Sequence, residues 1–293
     1  MTMKAVVIGT GAMGPEIAAA LAAAGWSVAI AGRTPAGRDS AAATASKWAD
    51  AVVVPALIDE GTFTDADLVV ETIVEDLDTK HALLRRIEPW CHPKAIITTN
   101  TSSLTIGEVA SPLMWPKRFA GFHFLKPAHL TGVVEIIPGP QTSKKTTAFL
   151  REVAKQMDKT PLIATKDVPG FIWNRIQFAV LRECLHMVDE GVASPADIDA
   201  AVADGLAPRW TAAGPLATAD LGGLRTFSTI CDGLFPHLST AQSAPPSITG
   251  PASRGEPLQA WTLHSGGKIA KLRAKALASG RKITTKRRRI SGQ

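Results

Sequence analysis

The sequence predicts an α/β fold in which a doubly wound, mostly parallel sheet is followed by a second, smaller all-helical domain. Three observations predict it. Short apolar runs alternate with helical patterns over about the first 165 residues, the order that builds a parallel sheet layered by helices. A glycine-rich stretch, Gly9-Thr-Gly-Ala-Met-Gly14, follows the first run and opens the first helix. Past Val168-Pro169-Gly170 strand signals become scarce and apolar spacing turns helical.

The elements follow in order. Lys4–Ile8 is an apolar strand, and the Ala- and Leu-rich segment after Gly14 is a helix stopped by Gly25. Ser27–Ala31 is a second strand and Arg38–Trp48 a helix. Asp67–Thr72 reads as a buried strand, Asp78–Glu88 as a helix, and Ala95–Thr99, Phe119–Phe124 and Val133–Ile137 as three further strands. Beyond the breaker cluster, Phe171–Glu190 carries apolar residues at 172, 176, 179, 180, 184 and 188, a helical period that Gly191 ends. Ser194-Pro195 with Asp197 starts another helix. Ser239–Pro257 reads as a loop, and Lys268–Ala278 as a basic helix. The domain boundary is placed at 167/168, giving a nucleotide-binding domain over 1–167 and a helical domain over 168–293.

The glycine stretch has the context that makes such a motif meaningful: strand before, helix after. In a Rossmann-type domain Gly9 allows the tight turn, Gly11 lets a pyrophosphate approach the backbone, and Gly14 lets helix and strand pack closely. With Ala12 and Met13, these residues offer the helix N-terminus to the phosphates. At the end of the second strand, where a carboxylate would grip the ribose hydroxyls of NAD(H), the chain has Gly32-Arg33-Thr34, and Arg38 follows. No carboxylate repels a 2′-phosphate there, and Arg33 offers a planar, permanently charged donor fork. The cofactor expectation is therefore NADP(H) rather than NAD(H). The alternative is that Arg33 is a solvated loop arginine.

Composition narrows the chemistry. The chain has 293 residues and no tyrosine, which rules out a tyrosine hydroxyl as proton donor and with it the mechanisms of short-chain dehydrogenases and aldo-keto reductases. Cys91, Cys184 and Cys231 are scattered without metal-ligand spacing, so no metal is expected; they read as core residues in a reducing cytoplasm. The start, MTMKAVVIGTG, enters a strand directly and shows no signal-peptide pattern. Of the 32 Lys and Arg, ten lie from Lys268 onward with no acid among them, so the rest of the chain has 22 basic against 26 acidic residues. The excess of basic charge belongs to a tail, including Lys286–Arg289, read as solvated; neither a nucleic acid nor a membrane partner is expected.

Four further stretches stand in order: Asn100-Thr-Ser-Ser-Leu104, Phe122-His-Phe124, Val134-Glu-Ile136 and Pro169-Gly-Phe-Ile-Trp-Asn-Arg175. Taken with GTGAMG, DLVVETIVEDLDTK and GPLATADLGGL, the pattern resembles the L-3-hydroxyacyl-CoA dehydrogenase family over most of residues 1–235. Ser102 stands 21 residues before His123 and Glu135 12 after it, as in that family. The resemblance implies His123 as general acid/base, since an imidazole titrates near neutrality. It implies Glu135 as the partner of the other ring nitrogen, Ser102 and Asn174 as holders of the substrate oxygen, and Glu75, Lys80 and Asn100 as residues near the dinucleotide. It also implies a homodimer formed through the helical domain.

Three departures qualify the resemblance. Gly32-Arg33 replaces the family's acidic residue, which suggests NADPH and a reductive role. Only about 35 residues separate Arg33 from Leu68, so the helical hairpin with which the family helps bind CoA is expected to be missing. The family's HFxNP is HFLKP here, and Lys126 either meets a substrate carboxylate or the cofactor phosphates, or is a tolerated surface change. The expectation is an NADP-dependent enzyme interconverting 3-oxoacyl and L-3-hydroxyacyl groups on CoA or an acyl carrier protein. The alternatives are a dehydrogenase of a free small hydroxy acid, like gulonate- and carnitine-type relatives, and a non-catalytic dinucleotide-binding protein.

Overall fold

The structure is a computed structural model that describes residues 2–256, together with 258, 271, 275–277 and 279. The Lys286–Arg289 run lies outside the described residues, as does most of Lys268–Ala278.

Strand β1 (Lys4–Ile8) is buried over all but its first residue, because it lies in the middle of a parallel sheet with helices on both faces. Helix α1 (Gly14–Ala23) packs so closely that every residue from Gly14 to Ala22 is buried. Gly14 is required for that approach: a Cβ there would stand 1.8 Å from the carbonyl oxygen of Gly9. The chain then forms β2 (Ser27–Ala31), α2 (Pro35–Ala49), β3 (Val53–Ala56), the short α3 (Glu60–Phe63), β4 (Leu68–Glu71), α4 (Leu77–Ile87), β5 (Ile96–Thr99), α5 (Ile106–Ala110), β6 (Phe119–Phe124), β7 (Val133–Pro138), α6 (Lys144–Gln156) and β8 (Thr160–Ile163). Helix α7 covers Trp173–Asp189.

The sheet order is β3-β2-β1-β4-β5-β6-β7-β8. All neighbouring pairs are parallel except β6 and β7. The strand order reverses beside β1, which opens a crevice at the carboxyl ends of β1 and β4. This is the doubly wound sheet the sequence predicts. One apolar cluster (Ile17, Leu21, Val28, Phe122, Leu150) covers one face and another (Ile8, Leu84, Ile97, Phe119, Phe171) the other.

Three details differ from the sequence expectation. Helix α2 begins at Pro35 rather than Arg38, because the Thr34 side chain accepts the Gly37 N–H at 3.2 Å and Pro35 fits the first turn. Strands β3 and β8, not anticipated, add to the two edges of the sheet; each has four residues and contains a proline, which weakens a strand signal and suits an edge. Within the expected loop Ser239–Pro257, residues Pro246–Arg254 are helical, entered through Pro245 and Pro246 and stopped by Gly255 in a left-handed conformation.

The chain divides into two compact units, Met1–Arg175 and Ile176–Gln293. Phe171 is buried in the first unit's core with Ile172 packed against it, which carries that unit past the Val168-Pro169-Gly170 breaker. In the second unit, beyond α7, the described elements are all helical: α8 (Pro195–Ala200), a π-helical turn (Ala201–Leu206), α9 (Ala207–Ala212), α10 (Pro215–Gly222), α11 (Leu224–Leu234), a 3₁₀ turn (Phe235–His237) and α12 (Pro246–Arg254). Ser194 caps α8 by accepting the Asp197 N–H, with Pro195 at its first position. Among the described residues no helix is long and apolar enough to cross a membrane.

Candidate active site

Antiparallel pairing of β6 and β7 sets His123 directly opposite Glu135. The strand register thus brings together two groups that are distant in sequence. The His123 Nδ1 lies 2.6 Å from Glu135 Oε2, and both side chains are buried, at 3 % and 0 % exposure. A carboxylate can only accept, so Nδ1 is the donor to Glu135, and in the neutral ring Nε2 is then left with its lone pair. Nε2 lies 3.1 Å from the Ser102 hydroxyl. Phe171 packs edge-on to the imidazole at 5.6 Å, giving it an apolar flank.

The other Glu135 oxygen accepts the N–H groups of Ile172 and Trp173 at 2.9 and 2.8 Å. These are unpaired donors at the start of α7, so one carboxylate both orients the histidine and anchors that helix. Asn174, one residue on, donates from its side-chain nitrogen to the Ser102 carbonyl at 3.4 Å. Ser102, His123, Glu135 and Asn174 therefore form one connected group within Met1–Arg175.

A second network holds Ser102 in place. Glu75 Oε1 accepts from the Thr101 hydroxyl, the Ser102 and Ser103 N–H groups and the Ser103 hydroxyl at 2.6–2.9 Å. Burial alone would raise the Glu75 pKa, but these donors outweigh it and lower the value to about 2. The sign for stability follows. A depressed carboxylate stabilises the folded turn at and above its ordinary pKa of about 4.5, and that contribution is lost as pH falls toward about 2. We expect urea midpoints measured between pH 5 and pH 2.5 to fall less steeply for Glu75→Gln than for the unsubstituted protein. Parallel curves would contradict this.

Lys80 is 1 % exposed, its ammonium 2.8 Å from Glu71 Oε1 and 3.4 Å from Glu75 Oε2. Thr99 donates to the second Glu71 oxygen at 2.6 Å. Lys80 and Glu75 thus spend their charge on each other and on the β4–β5 ends, which they brace beneath the crevice. The sequence reading missed Glu71; a carboxylate closing the apolar run LVVE was the available signal, since buried acids are rare without partners. Asn100 likewise braces the frame: its side-chain oxygen accepts the Phe124 N–H at 2.8 Å.

Gly9, Gly11, Ala12, Met13 and Gly14 turn the chain from β1 into α1 at the carboxyl edge of the sheet. Gly11 and Ala12 are exposed, and Met13, at the helix cap, supplies no side-chain hydrogen bond to the first turn. The free N–H groups there fit a pyrophosphate. At the neighbouring β2 end, a Cβ on Gly32 would stand 2.5 Å from Thr10 Cγ2, so no carboxylate fits at that position without a shift. Arg33 is exposed, Thr34 is occupied in capping α2, and Arg38 Nη1 donates to the Gly32 carbonyl at 3.0 Å. Lys126 is exposed on the loop after β6. That loop is tied to α1 and to the stretch before β8: buried Glu16 accepts the Ala128 N–H at 2.5 Å, and buried Lys159 donates to the Ala128 carbonyl at 2.7 Å. Neither residue was singled out from the sequence.

A doubly wound sheet with a glycine turn after β1 and an α-helical C-terminal unit defines the class of protein: a dinucleotide-binding oxidoreductase of two-domain build. Comparison with known proteins makes it particular. The chain belongs to the 3-hydroxyacyl-CoA dehydrogenase family. The model described as the family's NAD binding domain matches residues 54–168, and that of its C-terminal domain matches residues 170–252. The chain is 30 % identical to the 5-formyl-3-hydroxy-2-methylpyridine 4-carboxylate 5-dehydrogenase of Mesorhizobium japonicum, across 97 % of this chain and 98 % of that protein. It is 34 % identical to the 3-hydroxybutyryl-CoA dehydrogenase of Clostridioides difficile, across 80 % and 87 %. Among solved structures, the crystal structure of a 5-formyl-3-hydroxy-2-methylpyridine 4-carboxylic acid 5-dehydrogenase, described as an NAD+ dependent dismutase, superposes with a TM-score of 0.90 at 28 % identity, over 97 % of this chain and 98 % of that one. The (S)-3-hydroxybutyryl-CoA dehydrogenase of Ralstonia eutropha gives 0.65 at 30 % identity, over 80 % and 88 %.

Proposed function

We propose that the protein is an NADP(H)-dependent dehydrogenase that interconverts a hydroxyl and a carbonyl on a compact substrate bearing a free carboxylate. The observation that carries the substrate class is the connection after α2: only Asp50, Ala51 and Val52 lie before β3, so the chain has no helical hairpin there to hold a CoA. Likeness along nearly the whole chain to a pyridine-carboxylate dehydrogenase supports it.

The turn from Gly9 to Gly14 would hold the dinucleotide, which would supply the hydride acceptor for oxidation or the hydride donor for reduction. In oxidation His123 Nε2 takes the hydroxyl proton, and in reduction it gives it back. Glu135 holds the ring in the required tautomer and faces the imidazolium that forms. Ser102 and Asn174 position the reacting oxygen, and Lys126 supplies a counter-charge for the carboxylate. Gly32 and exposed Arg33 favour the 2′-phosphate of NADP(H), with Arg38 adding a second charge at the β2 end.

A second reading, a 3-hydroxyacyl thioester on CoA or a carrier protein reduced for biosynthesis, is favoured by the identity to 3-hydroxybutyryl-CoA dehydrogenases. Turnover of acetoacetyl-CoA, acetoacetate and a formylpyridine carboxylate, measured side by side, separates them; a preference for the thioester would overturn the free-acid reading. For the cofactor, Arg33→Ala is expected to raise KM for NADPH about tenfold, the size of a modest charged contact, and to leave KM for NADH unchanged. An unsubstituted enzyme that prefers NADH would overturn that assignment. A homodimer is proposed through the helical unit, where Leu216, Leu221 and Leu224 are 83 %, 82 % and 64 % exposed; a monomer by light scattering would exclude it.

A further inference from the structure

One unassigned cavity lies within Met1–Arg175 at the edge of the sheet away from the glycine turn. It measures about 670 Å³ and is bounded by Ile96 at the start of β5, by Arg118 just before β6, and by Ser143 at the cap of α6. Strands β5 and β6 run parallel to β1, so their starts lie opposite the carboxyl edge where Gly9 to Gly14 and His123 sit.

The lining combines apolar walls with positive charge. Pro89, Trp90, Pro93, Ile96 and Trp115 give the apolar part. Lys94, Lys117, Arg118 and Lys145 give four cations, against a single lining carboxylate, Glu60. Several of these groups are costly where they stand. Lys144 and Lys145 occupy the first turn of the thirteen-residue helix α6, which has no acidic residue there. Cations at that end oppose the helix dipole, whereas an anion would complement it. The Lys117 carbonyl accepts from the Ser143 N–H at 2.9 Å and the Thr146 hydroxyl at 2.8 Å, which holds the Lys117 turn beside that same helix end. Arg118 is 9 % exposed; it donates to the carbonyls of His92 and Glu88 at 2.6 and 3.3 Å, and its Nε has no hydrogen-bond partner among the described residues.

Trp115 is half exposed yet fixed. Buried Glu88 accepts the Met114 and Trp115 N–H groups at 2.8 and 3.0 Å, and the Arg118 guanidinium lies 5.1 Å from the Trp115 ring centroid. An exposed indole on an anchored backbone, beside four lining cations and one lining carboxylate, suits a flat ligand with a negative head. Covalent chemistry is not indicated: burial pushes the Cys91 thiol, also in the lining, up to about 11, so it stays protonated.

We propose that this cavity is a second binding site, distinct from the reaction centre, for a planar aromatic anion whose ring lies against Trp115 and whose carboxylate or phosphate meets Lys117, Lys145 and Arg118. The test is calorimetric titration of the full chain with 2-naphthoate, 2-naphthyl phosphate and the uncharged 2-naphthylmethanol. Saturable binding of either anion is expected, with the tighter of the two naming the head group, and the alcohol at least about tenfold weaker. The surface pair Lys117→Glu and Lys145→Glu together, and separately Trp115→Ala, are each expected to weaken binding by about tenfold or more. His123→Asn should leave it unchanged. Equal binding of the alcohol, an unchanged affinity in the charge-reversed protein, or displacement of the naphthoate by NADPH would overturn the proposal.

Discussion

Replacing His123 by alanine is expected to lower kcat by roughly 10²- to 10⁴-fold in either direction, the range associated with a positioned acid/base. The reason lies in the local geometry: Nδ1 is committed to Glu135 at 2.6 Å, and Nε2 faces the Ser102 hydroxyl at 3.1 Å. No other imidazole stands in this group, and the chain has no tyrosine to substitute. Binding of NADPH, followed by its fluorescence, is expected to change little, because the glycine turn is built from β1 and α1. Alanine also empties a buried position, so His123→Asn is the companion variant; its amide retains a donor toward Glu135 but offers no base toward Ser102. A kcat within threefold of the unsubstituted value in a folded His123→Asn protein would overturn the assigned role.

The second large effect is expected at Glu135, which is wholly buried and has both oxygens engaged. Glu135→Ala strips the acceptor from three N–H donors at once: the imidazole and the backbone of Ile172 and Trp173. The imidazole donor is buried and the two backbone donors are part-buried; a buried donor left unpaired costs about 1–3 kcal/mol, so a loss of at least about 1 kcal/mol of stability is expected. Glu135→Gln is milder for the fold, since one oxygen remains, but it turns an amide NH2 toward groups that themselves donate. The imidazole then loses its tautomer control and the charge facing its protonated form. A fall in kcat of about 10²-fold or more is expected, by analogy with carboxylate-to-amide changes behind a catalytic histidine. Faster amide exchange at Ile172 and Trp173 in the same variant would report the anchoring of α7 separately from the chemistry. Unchanged exchange with lost activity would assign Glu135 to the histidine alone; unchanged activity would remove it from the mechanism.

The elements that were legible in the sequence are those with strong one-dimensional signals. The runs β1, β4, β5 and β6 lie in the middle of a sheet covered on both faces, so nearly every residue is buried and most are apolar or β-branched, which makes the strands legible. The glycine turn and the caps at Ser194 and Gly191 are likewise local. Edge strands β3 and β8 were not legible, because an edge needs little burial and tolerates proline. Helix α12 was hidden by its prolines, which mark a helix start as readily as a loop.

The candidate site divides along the same line. Ser102, His123, Glu135 and Asn174 stood out as motifs, and the spacing from His123 to Glu135 fits two adjacent strands. Thr34 and Lys80 show the limit. The sequence places both near the dinucleotide, and it is the fold that has the Thr34 hydroxyl accept the Gly37 N–H and sets the Lys80 ammonium between Glu71 and Glu75. A residue type states what a group can bond, whereas its partner depends on which segments the fold brings within about 3 Å. Glu71, Glu16 and Lys159 were passed over for the complementary reason, since nothing adjacent in the chain marks them as partners of Lys80, Ala128 and the loop after β6.

By itself the sequence determined the doubly wound sheet, the helical second half, the family and the absence of a hairpin after α2, because periodicity, turn residues and motif spacing are carried by neighbouring positions along the chain. Only the tertiary structure decided that β6 and β7 run antiparallel in the register that sets His123 against Glu135, that the second Glu135 oxygen anchors α7, and that four cations and a fixed indole line a cavity at the far edge of the sheet. Those facts depend on contacts between residues from a dozen to several tens of positions apart, whose distance is set when the apolar faces of the strands and helices are buried together.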